Sequence, residues 1–127
     1  MSFLDARTQY RRTQEGNLPE LANPHQMILV TLRELHKCLR VLETAKAEGQ
    51  RYSGPHITKG LTAIYILQSS LDFEKGGEIA DNLFRVYEFV RLQLLAAFQR
   101  DLSAKLEPAT AYIGDILQAW EDMPMAG

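Results

Sequence analysis

The sequence holds one cysteine, Cys38, and no Cys/His spacing of the kind that binds zinc. A lone thiol cannot form an internal disulfide, which excludes a disulfide-stapled secreted scaffold and favours a reducing compartment. The chain also lacks an apolar run of roughly 18 residues, and residues 1–25 contain no apolar stretch of about seven or more. We therefore expect no membrane insertion, no cleaved signal segment and a cytoplasmic location.

An excess of charge of one sign is also missing. The 127 residues carry 14 basic and 16 acidic groups, a formal net charge of -2, and no basic run stands out. This removes the broad electrostatic argument for binding nucleic acid or an anionic membrane. Apolar residues make up 46% of the chain, enough to bury the core of one domain without metal or disulfides.

What the sequence does contain is four segments in which apolar residues recur at spacings of three and four, the period of an amphipathic helix. No segment alternates with period two for long, so no sheet is expected. The expected helices run from Pro24 to near Gly49, from about 56 to 72, through Ile79 to Phe98 after a break at Gly76–Gly77, and from beyond Pro108 to a stop at Pro124.

These segments predict an all-α fold, an antiparallel four-helix bundle with an irregular N-terminal arm. We place the arm at residues 1–23 and the bundle at 24–127. The first and third helices should have about 24 residues each and the other two about 16, or roughly 36 and 24 Å. Part of the apolar stripe on the long helices should then have no packing partner among the other helices. The arm, a second subunit or a helix of another protein would fit there.

No pattern in the sequence supports enzymatic, metal or cofactor chemistry. The histidines do not lie at helical spacing from one another, and Ser69 and Ser70 lack the context of a nucleophilic serine. Cys38 falls on the apolar stripe of the first helix, and we interpret it as packing. No phosphate-binding pattern includes the Gly76–Gly77 pair, which we interpret as a turn between helices. The histidines are His25, His36 and His56. Glu74, Glu78 and Asp81 form an acidic row across the glycine turn, and we assign Glu78 and Asp81 to a helix first turn, where the helix dipole favours negative charge.

Of four aromatic residues on the second and third helices, some lie off the main apolar stripe, and these widen the apolar surface of the two helices. Two explanations stay open, a thicker core and a binding surface, and the thicker core is favoured. The residues are Tyr65, Phe84, Phe89 and Phe98.

Residues 69–83 read SSLDFEKGGEIADNL, and the chain continues through Val86, Tyr87 and Leu94 to LQAW at 117–120. With the tyrosine-bearing arm and the proline that opens the first helix, this pattern resembles the flagellin export chaperone family, FliS. The resemblance implies a cytoplasmic helical bundle that binds the C-terminal segment of flagellin, or of a flagellin-like exported subunit. It further implies that the bundle prevents premature polymerisation and delivers the client to the gate of the flagellar type III export apparatus.

The same resemblance implies contacts with the client from the arm and from the first and third helices. The partner-binding residues that it suggests are Tyr10, Leu29, Ile79, Leu83, Tyr87 and Leu94. Some family positions differ here. Leu92 and Gln93 replace paired arginines, and Phe98 replaces an asparagine.

Two alternatives to a chaperone are retained. One is a structural bundle or adaptor whose exposed stripe closes a homodimer, with no flagellin client. The other is an enzyme, for which no catalytic constellation can be assembled from the sequence. A homodimer is also expected as a possible client-free state of the chaperone itself.

Overall fold

In the computed structural model, residues 23–123 are described, and they contain four α-helices and no strand. The predicted all-α four-helix fold is confirmed for this part of the chain. Residues 1–22, which include Tyr10 and all of the predicted arm except Asn23, and residues 124–127 lie outside the described residues, so the division into arm and bundle stays a prediction. The helices are α1 (Pro24–Ala47), α2 (Gly54–Ser69), α3 (Phe73–Phe98) and α4 (Leu106–Asp122).

Short polar side chains fix the starts of the first three helices. The side chains of Asn23 and Ser53 accept hydrogen bonds from backbone N–H groups of the first turns of α1 and α2, and each helix has proline in that turn. Asp72 Oδ1 accepts two backbone N–H bonds at 3.0 Å at the start of α3. Because a capped N-terminus and a proline at the first helical positions both favour initiation, local sequence determines these three starts.

The helices follow one another around a ring, and α1 closes the ring by packing against α4 as well as α2. Lys46 Nζ at the end of α1 donates to the carbonyl oxygen of Ala104, just before α4, at 2.6 Å. At the other end, Arg33 of α1 lies 3.4 Å from the carboxylate of Glu121 near the end of α4. Helices α1 and α4 are therefore antiparallel, as predicted.

A continuous core fills the centre of the ring. Cys38 is fully buried within it, and burial raises the pKa of its thiol, with the charge of Glu34 adding to the effect. A buried thiol of raised pKa is a packing residue rather than a nucleophile. The largest fully buried side chains are Leu32, Leu35, Leu39, Leu42, Ile64, Leu67, Val90, Leu94, Leu106 and Ile113.

The glycine pair interrupts the helix, as the sequence predicts, but the break is a kink between two helical stretches of α3 and not the connection between α2 and α3. The α2–α3 connection lies earlier, at residues 70–72, and both glycines lie inside α3. Gly77 has φ 50° and ψ -124°, and this backbone conformation kinks the helix. Residues other than glycine rarely adopt it. The predicted start of α4 is also wrong by a few residues, since the helix begins at Leu106 and holds Pro108 in its first turn. Proline is tolerated there because the first turn needs no N–H donor.

Candidate functional site

A shallow groove of about 340 Å³ runs between α2 and α3 near the C-terminal end of α3. We call it the α2–α3 groove. Its two aromatic walls are strongly exposed, Tyr65 to 44% and Phe98 to 67%. The lining residues are Thr58, Leu61, Thr62, Tyr65 and Phe98. Of the two explanations for the surplus aromatics, these two residues support the binding surface.

Gly60 sets the close approach of α2 and α3 beside this groove. A Cβ atom at Gly60 would lie only 3.1 Å from Leu94 Cδ2, and Leu94 is fully buried. The absence of a side chain at Gly60 thus lets α2 lie directly over the core residue Leu94. The bottom of the interhelical space is closed by packed core, so any partner of the groove must bind on its outer side.

A second exposed apolar area lies at the N-terminal end of α3, which we call the N-terminal patch. The rings of Phe73 and Phe84 meet edge to face with centroids 6.0 Å apart, and neither ring is buried. Ile79 belongs to the same part of α3 and is 71% exposed. The patch extends the apolar surface of α3 well beyond the α2–α3 groove.

Between these two areas lies a polar cluster that joins α2 to α3. Gln68 Nε2 donates to Glu88 Oε1 at 3.1 Å, and Arg91 donates to both carboxylate oxygens at 2.8 and 2.5 Å. The hydrogen bonds from Arg91, and then the one from Gln68, lower the pKa of Glu88 to about 2. The carboxylate is therefore ionised at neutral pH and holds the two helices in register.

This pKa shift predicts a stability change in acid. Because the folded pKa of Glu88 lies below that of an unfolded glutamate, roughly 4.3, its contribution is present above that value. The contribution should then be lost as the pH falls toward about 2. The side chain is about one-third exposed, so solvent screening reduces the effect to about 1 kcal/mol. Denaturant unfolding between pH 5 and 2 measures it.

Glu88→Gln is the matched control, because the amide keeps the shape and one acceptor but does not titrate. We expect the free energy of unfolding of this variant to fall less steeply over the same pH interval. Equal acid slopes for the wild type and Glu88→Gln would contradict the assigned role of Glu88.

The six partner-binding residues that the resemblance suggests differ in their exposure to solvent. Ile79 is exposed and Leu83 is half-buried against the core, so these two are accessible on α3. Leu29, Tyr87 and Leu94 are buried in the interior, and burial raises the pKa of Tyr87 to about 12. Tyr10 lies outside the described residues. Their role in binding a partner stays a prediction for all six.

The groove walls Tyr65 and Phe98 were not among those six, although both belong to the four aromatic residues for which the sequence left a binding surface open. Phe84 was marked in the same way and lies in the N-terminal patch. Phe89 is partly buried, with its ring 5.6 Å from that of Tyr112 on α4, and it belongs to the packing between α3 and α4. The aromatic residues in excess of those needed for the core were thus the sequence feature that pointed to the groove.

Two of the three histidines, His25 and His56, take part in helix capping or ring packing, and His36 lies on α1. His56 Nδ1 is 2.7 Å from the capping hydroxyl of Ser53, and the ring of His25 lies 4.9 Å from that of Trp120. Within residues 23–123 there is no group of three or more His, Cys, Asp or Glu side chains placed to hold a metal ion. None of the four helices described is both long and apolar enough to cross a bilayer.

Comparison with known proteins shows which family the sequence matches. The family model described as "Flagellar protein FliS" matches residues 6–126. The chain is 27% identical over 116 residues to a flagellar secretion chaperone FliS of Vibrio cholerae, covering 91% of this chain and 85% of the relative. It is 27% identical to FliSB of Pseudomonas aeruginosa, over 95% and 97% of the two chains. It is 30% identical to FliS of Salmonella typhimurium, over 80% and 77%. No solved structure matches significantly.

Proposed function

This chain belongs to the FliS family of flagellar secretion chaperones, and we propose that its client is the C-terminal segment of flagellin or of a flagellin-like exported subunit. The family consists of chaperones and not of enzymes. On this proposal the protein acts in the bacterial cytosol, covers the polymerising surface of the client and presents it to the flagellar type III export gate.

The observation that supports the proposal is an exposed aromatic groove on a bundle whose core is already complete. Tyr65 and Phe98 cannot be surplus core residues, because fully buried side chains from all four helices fill the interior beneath them. Exposed apolar surface that is bordered by polar residues often serves in binding, which supports this role for the groove together with the N-terminal patch. A groove between two helices accommodates the apolar face of a third helix, with anchors at helical spacing.

The energetics of such a complex require an apolar contact of this kind. A segment that becomes ordered on binding loses roughly 2–5 kcal/mol of the gross interaction energy. At about 25 cal/mol per Å², burying roughly 80–200 Å² of apolar surface offsets that ordering cost. An aromatic side chain buries roughly 150–250 Å² in full, so two half-exposed aromatic walls and their counterparts on the client supply the area.

The spacing of the apolar areas supports a client helix of a particular length. Phe84 and Phe98 are 14 residues apart on α3, or roughly 21 Å along the helix. The Gln68–Glu88–Arg91 cluster lies between them, and Arg91 is partly exposed there. A client helix of about four turns would span both areas, with apolar anchors near its ends and a polar group facing the cluster.

Isothermal titration calorimetry tests the proposal with the full chain and the C-terminal segment of flagellin from the same cell. We expect a one-to-one complex whose affinity changes little between low and high salt, because apolar burial dominates the groove. A chain lacking residues 1–15 tests for a contact from Tyr10, and we expect its affinity to differ from that of the full chain. No binding, or a steep loss of affinity with salt, would contradict the proposal.

The homodimer alternative makes a different prediction from the same exposed aromatics. If the α2–α3 groove served only to join two copies, the mass in sedimentation experiments would rise with concentration and flagellin segment would not change it. A one-to-one complex with the segment rules out a purely structural role.

A further inference from the structure

A second groove, of about 640 Å³, runs along α1 beside the α1–α2 connection and Leu117 of α4. We call it the α1 basic groove. Four cationic side chains line it, and no acidic residue does. Val41 of α1 and Leu117 of α4 add apolar surface. The cationic residues are Arg33, Lys37, Arg40 and Arg51.

These cations are left largely without partners. Arg33 has an exposed ion pair with Glu121, but Lys37, Arg40 and Arg51 form no ion pair with any residue between 23 and 123. Arg33 and Lys37 are four residues apart and Lys37 and Arg40 three, spacings at which like charges on a helix repel. Like charges at these spacings weaken a helix, and such unfavourable placements are usually found where a surface serves function rather than folding.

We propose that the α1 basic groove binds an acidic, amphipathic helical segment of another protein. The cations at 33, 37 and 40 rise roughly 6 and 4.5 Å apart along α1, which matches carboxylates at the same spacing on a partner helix. The apolar side chains of Val41 and Leu117 would contact the apolar residues of that segment. This surface is separate from the α2–α3 groove, so it adds a second partner to the proposed client.

The remainder of this chain does not supply the occupant. Residues 1–22 contain three acidic and three arginine residues, and residues 124–127 contain no charged side chain, so neither segment complements four cations. Nucleic acid is disfavoured, because its binding is driven by phosphate contacts that make no use of an apolar floor. The net charge of -2 over the whole chain also opposes a long polyanion.

Fluorescence anisotropy with the full-length protein tests this surface. The probe is a labelled synthetic helical peptide with glutamates at i, i+4 and i+7 beside a leucine stripe. A second probe replaces each glutamate by glutamine. Lys37→Glu/Arg40→Glu reverses two charges in the groove, and the control Lys75→Glu/Arg85→Glu makes the same change of net charge on α3. We expect at least about tenfold weaker binding of the acidic peptide to the groove variant than to the wild type or the control.

The groove variant should fold, because both side chains lie at the surface groove and the Arg33–Lys37 repulsion becomes an attraction, and its melting curve checks this. The glutamine peptide should bind weakly to all three proteins. Equal affinity of the acidic peptide for the groove variant and the control would overturn the proposal. Tighter binding of a single-stranded oligonucleotide would also overturn it, as would self-association abolished by the groove variant. The assay contains no flagellin, so its outcome is independent of the client proposed above.

Discussion

Replacing Tyr87 by aspartate is expected to unfold the bundle. Tyr87 is 2% exposed in the core cluster, and no cation is paired with it among residues 23–123. Removing a large aromatic side chain from a core costs roughly 3–5 kcal/mol, and a buried unpaired carboxylate adds to this cost. A domain of this size is stable by only about 5–15 kcal/mol. Circular dichroism during thermal unfolding should show lost helix or a sharply lower melting temperature.

Two controls make this result specific to burial. Tyr87→Phe keeps the ring and should melt within a few degrees of the wild type. Ile79→Asp places the same carboxylate on α3 at a position that is 71% exposed, and it should also leave the melting temperature nearly unchanged. A native melting curve for Tyr87→Asp would show that Tyr87 is not part of the core.

Phe98→Lys is expected to abolish most flagellin binding and leave the fold intact. Phe98 is a wall of the α2–α3 groove, and a charged group there must lose its hydration when an apolar client helix binds. We expect at least about a hundredfold loss of affinity, or about 2.7 kcal/mol, as for a central interface residue. The last turn of α3 has no basic residue, so a lysine at its C-terminus interacts favourably with the helix dipole.

Leu102→Lys is the matched control for that measurement. Leu102 is 81% exposed in the connection between α3 and α4 and does not line the groove. The same substitution there should change neither affinity nor stability, which calorimetry and thermal melting check. If Phe98→Lys bound the flagellin segment as tightly as Leu102→Lys, the client would bind at another surface.

The sequence predicted the number of helices and their order well, because the signals for them are local. Asn23 and Pro24 favour a helix start through local interactions that do not depend on the rest of the fold. The helical spacing of apolar residues is likewise a local signal, and it is present in each helix. The α2–α3 junction was misplaced because two local signals compete. The Gly76–Gly77 pair is a strong breaker, but Asp72 caps a helix earlier, and Gly77 absorbs the conflict as a kink within α3.

The candidate site was harder to predict, since it depends on which apolar residues remain outside the core. Tyr87 and Leu94 share an apolar stripe with surface residues of α3, and periodicity alone does not show how wide a stripe the other helices cover. That boundary is set by packing, including the contact that Gly60 permits between α2 and Leu94. Aromatic residues in excess of those needed for the core, such as Tyr65 and Phe98, were the better indicator of the surface.

The ring order of the helices allows the bundle to fold quickly after its synthesis. Within residues 23–123, the extensive helix contacts join neighbours along the chain, and the α1–α4 contact is the one between helices distant in sequence. Helical proteins dominated by such local contacts fold in microseconds to milliseconds. A ribosome adds only about 5–20 residues per second. Each new copy is therefore expected to fold within milliseconds of its release from the ribosome, so that synthesis and not folding sets how soon it is available.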